Sequence, residues 1–93
     1  MIKVKDMQPF QNLCRAKLVE WYNSRPEMVN AKRIGFEDTF IVWSCKSLQN
    51  YKALAATVVS GDGIYVEFTY NGDREELYMD IYYKISHITH TEE

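Results

Sequence analysis

The sequence has 93 residues, of which 46% are hydrophobic and 26% are charged, values typical of one folded domain rather than of a disordered chain. Its formal net charge of -2 argues against the basic surface that binds duplex nucleic acid. No apolar run approaches the roughly 20 residues that cross a membrane. We therefore predict a single domain, residues 1–93, that contacts neither duplex nucleic acid nor a membrane.

The first element predicted along the chain is an amphipathic helix. Pro9 suits the first helical turn, where its missing N–H group costs no hydrogen bond. Apolar residues then recur at helical spacing, namely Phe10, Leu13, Cys14, Leu18, Trp21 and Tyr22. Pro26 ends the pattern because the residue before a proline avoids helical geometry. The spacing predicts a helix of about four turns.

Three strands are predicted in the middle of the chain, after residues 27–38, which show no clear periodicity. Residues 39–46 are apolar on both faces, so we expect this strand at the centre of the sheet. Residues 51–60 form a second strand, which alanines weaken, and residues 64–70 form a third. Two glycines between the second and third strands predict a tight turn.

A closing hairpin is predicted at Asn71-Gly72-Asp73, with a last strand that begins near Glu75. If the loop covers residues 71–74, Glu67 lies opposite Tyr78. A two-residue loop would set Glu67 against Glu76, and like charges directly opposite each other are destabilising. We therefore favour the longer loop.

The last segment also fits a second interpretation, because Leu77, Ile81, Ile85 and Ile88 follow a helical spacing. Its enrichment in tyrosine, isoleucine and threonine favours a strand. We predict an α+β fold in which an N-terminal amphipathic helix packs on a three- to four-stranded antiparallel meander. The expected core side chains of the last two strands are Ile64, Val66, Phe68, Leu77, Met79, Ile81 and Tyr83.

The opposite face of this sheet is rich in tyrosine and carboxylates, because one helix can cover only one side. Its predicted members are Tyr65, Glu67, Thr69, Tyr78, Asp80, Tyr82 and Lys84, joined by Leu54, Ala56 and Val58. Tyrosine combines a wide apolar ring with a polar tip, which suits interfaces. Three interpretations remain open: a face wetted by water, a homodimer interface, and a platform for a ligand.

Catalytic and metal-binding patterns are not apparent. His87 and His90 form a His-x-x-His pair without a clear third ligand, and Glu67 with Asp80 is a weak candidate for acid–base chemistry. Cys14 and Cys45 are expected to be buried, reduced thiols, with a disulfide between them as the alternative, and no apolar leader follows the start. We predict a cytoplasmic protein that is not an enzyme and that uses no metal or cofactor.

A cluster around the first connection between strands could suit a nucleotide-like ligand; it consists of Lys46, Gln49, Asn50 and Lys52, with Trp43 just before them. Lysines attract phosphate, amide side chains pair with base or ribose edges, and an aromatic ring stacks on a base. From spacing alone, a polar turn beside a core tryptophan explains the same cluster. With the second face included, the candidate ligand-binding residues are Trp43, Lys46, Gln49, Asn50, Lys52, Tyr65, Glu67, Arg74, Tyr78, Asp80 and Tyr82.

Several segments of the chain are distinctive: Val42 to Leu54, Phe68 to Asp73, Leu77-Tyr78 and Asp80-Ile81-Tyr82, and more loosely Lys17 to Asn23. Together they resemble a family of short uncharacterised proteins from phages and prophages of Gram-positive bacteria. The resemblance implies a small accessory protein in the cytoplasm of a bacterial host. Such proteins commonly counter host defences by binding.

Two functional hypotheses follow from the resemblance and the candidate residues. The first is a homo-oligomeric counter-defence protein that sequesters a nucleotide-type immune signal without catalysis. The second is an inhibitor that binds a host defence protein directly through the same sheet face. A small hydrolase using Glu67 and Asp80 is a weaker third hypothesis.

Overall fold

The fold is one helix followed by a four-stranded antiparallel sheet, in a computed structural model that describes residues 1–28, 32–59, 61 and 63–92. The elements are α1 (Met7–Ser24), β1 (Thr39–Ser47), β2 (Asn50–Thr57), β3 (Ile64–Asn71) and β4 (Glu76–Tyr83), with 3₁₀ turns at Pro26–Met28 and Phe36–Asp38. The strand order is β1-β2-β3-β4. This arrangement confirms the predicted α+β class and the strand interpretation of the last segment.

Helix α1 begins at Met7, two residues before Pro9, and ends at Ser24. Its buried residues are spaced four apart and lie on one stripe: Phe10, Cys14, Leu18 and Tyr22. This spacing confirms the predicted amphipathic helix and fixes the side that faces the sheet. No helix among the described residues is long and apolar enough to cross a membrane.

The alanines of β2 mark the place where the helix approaches the sheet. Helix α1 packs mainly over β1 and β2, and Ala53 and Ala55 below it are fully buried. The Phe10 ring lies 5.2 Å from the Tyr51 ring, centroid to centroid. Small residues in the strand leave room for such large side chains from the helix. The alanines that weaken the strand pattern in the sequence are therefore a packing requirement.

Strands β3 and β4 complete the core, although the helix does not reach over both. Val66 and Phe68 are completely buried. Leu77, Met79 and Ile81 of β4 are only partly buried against them. Tyr83 was predicted to be in the core, yet 59% of its surface is exposed because no element covers this end of β4 among the described residues.

Strand β1 is an edge strand, so its predicted central position is wrong. Its apolar residues do point to both sides: Ile41 packs against the core, whereas Phe40 and Trp43 are 44% and 42% exposed. The pairing with β2 shifts between Ile41 and Trp43, which marks a β-bulge. A bulge adds one residue and reverses the side on which later side chains lie. The second apolar side of β1 is therefore exposed at the protein surface.

The pairing of β3 with β4 differs from the predicted pairing by two residues. Tyr70 lies opposite Leu77, and Glu67 lies opposite Asp80 instead of Tyr78. The loop begins one residue later than predicted because Glu75 takes a left-handed conformation (φ 53°) and completes the turn. A shift of two residues leaves every side chain on its predicted side, so the assignment of faces is correct.

The residues before α1 cross the helix side of the sheet and attach to the last hairpin. The Tyr70 hydroxyl donates to the Ile2 carbonyl at 2.7 Å and accepts from the Val4 N–H at 3.2 Å. The Ile2 N–H donates to the Glu75 carbonyl at 3.1 Å. These bonds satisfy the polar end of an otherwise buried tyrosine.

Ser60, predicted at the end of the second strand, and Asp62, predicted in the tight turn after it, lie outside the residues that the structure describes.

Candidate functional site

The candidate site is the side of the sheet opposite α1, which we call the open face. Its cross-strand rows are Phe40–Ala56–Tyr65–Tyr82, Trp43–Leu54–Glu67–Asp80, Cys45–Lys52–Thr69–Tyr78 and Ser47–Asn50–Asn71–Glu76. The first row is aromatic and the last is polar. The face therefore changes from apolar to polar along the direction of the strands.

Large aromatic side chains on the open face are exposed to an unusual degree. Trp43 and Tyr65 are 42% and 41% exposed, and Tyr82 is 52% exposed. The buried Ala56 lies between Phe40 and Tyr65 in the same cross-strand row. Clustered apolar side chains on a surface mark places where another molecule binds. This cluster is the most apolar part of the face.

Charges on the open face form a short network on the polar side of that cluster. The Lys52 ammonium lies 3.5 Å from the Glu67 carboxylate, and the Arg74 guanidinium lies 2.8 Å from the Glu76 carboxylate. The ion pair with Lys52 neutralises Glu67, which otherwise would repel Asp80 directly across the β3–β4 pair. Because Lys52 on β2 offsets the charge of Glu67, repulsion between Glu67 and Asp80 did not prevent the observed β3–β4 register.

Eight of the predicted ligand-binding residues lie together on the open face: Trp43, Asn50, Lys52, Tyr65, Glu67, Tyr78, Asp80 and Tyr82. Lys46 lies on the helix side, opposite Tyr51, with its ammonium 5.4 Å from the centre of that ring. Gln49 lies in the β1–β2 turn, and Arg74 lies in the β3–β4 turn. Trp43 and Lys46 lie three residues apart in the regular part of β1 after the bulge, so alternation places them on opposite sides.

Two of the predicted residues hold the turns at the polar end together. The Gln49 amide donates to the Asp73 carboxylate, and the Asn50 side-chain oxygen accepts from the Gly72 N–H at 3.0 Å. A Cβ atom at position 72 would lie 2.2 Å from the Gln49 carbonyl oxygen, so this position requires glycine. Gln49 and Asn50 thus join neighbouring turns, in addition to any role toward a ligand.

Phe40 and Cys45 are among the open-face residues that sequence reasoning missed. Phe40 precedes the bulge and Cys45 follows it, so no single alternation pattern places both on one side. Cys45 was expected to be buried but is exposed on this face. Cys14 is buried as expected, and burial raises the pKa of its thiol to about 12. Cys14 therefore stays protonated and cannot serve as a nucleophile.

The open face carries shallow grooves. One groove of about 190 Å³ is lined by Cys45, Ser47, Asn50, Tyr51, Lys52 and Thr69. Another of about 150 Å³ lies at the apolar end, beside Phe40 and Tyr65. Both fall below the range of about 300–1,000 Å³ that encloses a small-molecule ligand. Within the described residues, no three metal-ligating side chains come together.

The chain was compared with known protein families. The sequence profile of DUF6275, a family of unknown function, matches residues 11–92. The chain belongs to this family. All four strands, and hence the whole open face, lie within the part that matches the DUF6275 profile. Comparisons with curated proteins and with solved structures give no match.

Proposed function

We propose that the protein is a non-catalytic binding protein that uses its open face to hold a folded protein partner. The observation that supports this proposal is the cluster of half-exposed aromatic side chains on a sheet side without a deep groove. Aromatic residues are enriched in protein interfaces, and tryptophan and tyrosine dominate their binding energy. Trp43 and Tyr65 are the proposed anchors.

The size of the open face suits this role. Four strands spaced about 4.8 Å apart, with eight residues rising about 3.3 Å each, span roughly 19 by 26 Å. A standard protein interface covers about 800 Å² on each partner. One open face supplies most of that area without rearrangement of the fold. The ion pair between Lys52 and Glu67 adds a polar rim beside the apolar cluster.

The biological setting of the proposal comes from the resemblance to proteins of phages and prophages. Such a setting makes a bacterial defence protein the proposed partner and the host cytoplasm the proposed location. Blocking by direct binding needs no catalytic group, which agrees with a face of aromatic and hydrogen-bonding side chains. Counter-defence by occlusion of a host protein is therefore the function that we propose.

A second candidate is sequestration of a nucleotide-type immune signal, and the groove beside Lys52 favours it. This groove combines a lysine ammonium with the amide of Asn50, next to the exposed ring of Trp43. Its volume of about 190 Å³ fits part of a nucleotide rather than all of it. Complete enclosure would therefore need a second surface, such as another copy of the chain.

The first experiment is a pull-down from bacterial host lysate with the immobilised full chain. We expect a stoichiometric protein band with the wild type and its loss with Trp43→Ala. Phe36→Ala is the matched control, because Phe36 is 40% exposed but lies outside the sheet. A clean lane with the wild type, or a band that survives Trp43→Ala, would contradict the proposal.

Titration calorimetry against cyclic and ADP-ribose-type nucleotides tests the second candidate. Binding should weaken in Lys52→Ala, which removes the ammonium from the groove, and should persist in Lys17→Ala on α1. The absence of heat across the whole nucleotide panel removes this candidate. A protein band without nucleotide binding, or the reverse outcome, distinguishes the two functions.

A further inference from the structure

The two edges of the sheet differ in how well they are protected against pairing with another strand. Natural proteins protect edge strands with bulges and with lysine side chains. Strand β1 has both, namely the bulge between Ile41 and Trp43, and Lys46. Strand β4 pairs with β3 without a register shift and contains no lysine, arginine or proline, its charged residues being Glu76 and Asp80. The less protected edge is therefore β4.

The backbone of β4 offers a regular row of groups for pairing. The Lys84 N–H donates to the Gly63 carbonyl at 2.7 Å, so even-numbered residues direct their backbone groups toward β3. Alternation in an antiparallel ladder then turns the groups of odd-numbered residues outward. The outward row comprises Leu77, Met79, Ile81 and Tyr83. The Glu75 carbonyl, next in this row, already accepts from Ile2.

The residues after β4 extend this edge and carry apolar side chains without contacts that bury them. Ile85 is 99% exposed and Ile88 is 73% exposed. The bond from Lys84 to Gly63 continues the ladder one residue past β4. On the helix side of β4, Leu77 and Met79 are only partly buried. Exposed and partly buried apolar groups thus lie along one edge.

We propose that two copies of the chain pair antiparallel through β4 and residues 84–88, forming one continuous eight-stranded sheet. A twofold axis perpendicular to the sheet relates the copies, so both helices lie on the same side. The occupant of the edge is thus a second copy. Ile85 of each copy then lies opposite Met79 of the other and covers the helix side of β4.

In a symmetric antiparallel pair, one residue of β4 lies at the twofold axis and faces the same residue of the other copy; we call it the centre. Moving the centre by one residue shifts the register by two, so every side chain stays on its side of the sheet. Charge complementarity distinguishes the four centres from Met79 to Tyr82. A centre at Asp80 opposes two carboxylates, and a centre at Met79 opposes Lys84 with Arg74. A centre at Ile81 sets Asp80 opposite Tyr82 and forms no ion pair. These three centres are less favourable.

A centre at Tyr82 sets Asp80 of each copy opposite Lys84 of the other. Neither side chain has an ion-pair partner within the described part of a single copy. Because the outward backbone groups belong to odd-numbered residues, these facing positions are non-hydrogen-bonded pairs, in which side chains approach most closely. The pairing supplies two such ion pairs and joins the open faces of the copies into one surface.

Sedimentation equilibrium of the purified full chain tests the pairing. We expect twice the 11.0 kDa mass of one copy. Lys84→Glu and Asp80→Lys should each raise the dimer dissociation constant about tenfold, because each replaces two attractions by two repulsions. The double variant Asp80→Lys/Lys84→Glu restores both attractions and should return the constant to the wild-type value. A monomeric wild type, or no rescue by the double variant, overturns the proposal.

Cross-linking tests the register independently. Tyr82→Cys in a Cys45→Ser background should give a covalent dimer on mild oxidation, because residues facing each other across such a pair lie within disulfide reach. Tyr78→Cys in the same background is the matched control, since position 78 faces position 86 and should not cross-link. Equal cross-linking of both variants, or of neither, overturns the register. This pairing requires no host partner, so a monomeric protein would not contradict the proposed function, which the pull-down and the calorimetry test separately.

Discussion

Alternate residues of β3 lie on opposite sides of the sheet, and the two sides face different environments. Val66 and Phe68 are completely buried on the helix side, whereas Tyr65, on the open face, is 41% exposed. On the helix side, side-chain size is limited by packing against α1. On the open face, aromatic rings remain at the surface. The contrast indicates that stability and binding depend on different residues of the same strands.

Removal of a large ring from the helix side is the strongest test of this contrast. Phe68→Ala should lower the free energy of unfolding by about 3–5 kcal/mol, because it removes a fully buried ring and leaves a cavity. Tyr65→Ala on the same strand should cost about 1 kcal/mol or less. Urea denaturation of both variants measures the difference. Equal losses would show that the two sides are not energetically distinct.

Addition of volume beneath the helix should have the next largest effect. Ala53→Leu should cost about 1–3 kcal/mol, because position 53 is fully buried under α1 and the larger side chain must displace its neighbours. Lys52→Arg adds volume at the next position, on the open face, keeps the charge that pairs with Glu67, and should leave stability nearly unchanged. A stable Ala53→Leu variant would contradict the close approach of α1 to β2.

The buried thiol of Cys14, on the helix side, makes the stability of the fold depend on pH. The Cys14 thiol has a pKa of about 12 in the folded chain against 9.0 for an unperturbed thiol. Between these values the unfolded state loses the proton first, so stability is retained below pH 9 and falls as the pH rises. The expected slope is about 1.4 kcal/mol per pH unit.

Denaturation of the wild type and of Cys14→Ala at several alkaline pH values isolates this contribution. The difference in stability between the two proteins should shrink as the pH rises, because only the wild type carries the buried thiol. Cys45→Ala is the control, since it removes an exposed thiol. Parallel pH profiles for the wild type and Cys14→Ala would contradict a buried, protonated thiol.

Much of the fold could be predicted from the sequence because alternation and helical spacing are local. The stripe through Phe10 and Tyr22 defined α1, and the alternation from Ile64 to Tyr70 defined both sides of β3. A register error of two residues did not disturb this assignment. Eight of the eleven candidate binding residues lie on the open face, and alternation placed five of them there: Tyr65, Glu67, Tyr78, Asp80 and Tyr82.

The remaining features depend on interactions that a single segment does not encode. The bulge at Ile41 and Trp43 depends on the pairing with β2, and it moved Lys46 to the helix side. The left-handed conformation of Glu75 set the β3–β4 register, although glutamate carries no preference for that conformation. The edge position of β1 could not be read from its apolar residues, because an exposed apolar face has the same pattern as a buried one.

The hydroxyl of Tyr70 connects the fold to the order in which the chain is synthesised. Its bond to Ile2 joins residues 68 positions apart. A ribosome makes the amino-terminal segment first, so Ile2 emerges long before either of its partners in the last hairpin exists. Attachment of this segment must therefore be a late event in folding, and until then the first five residues have no site on the nascent chain.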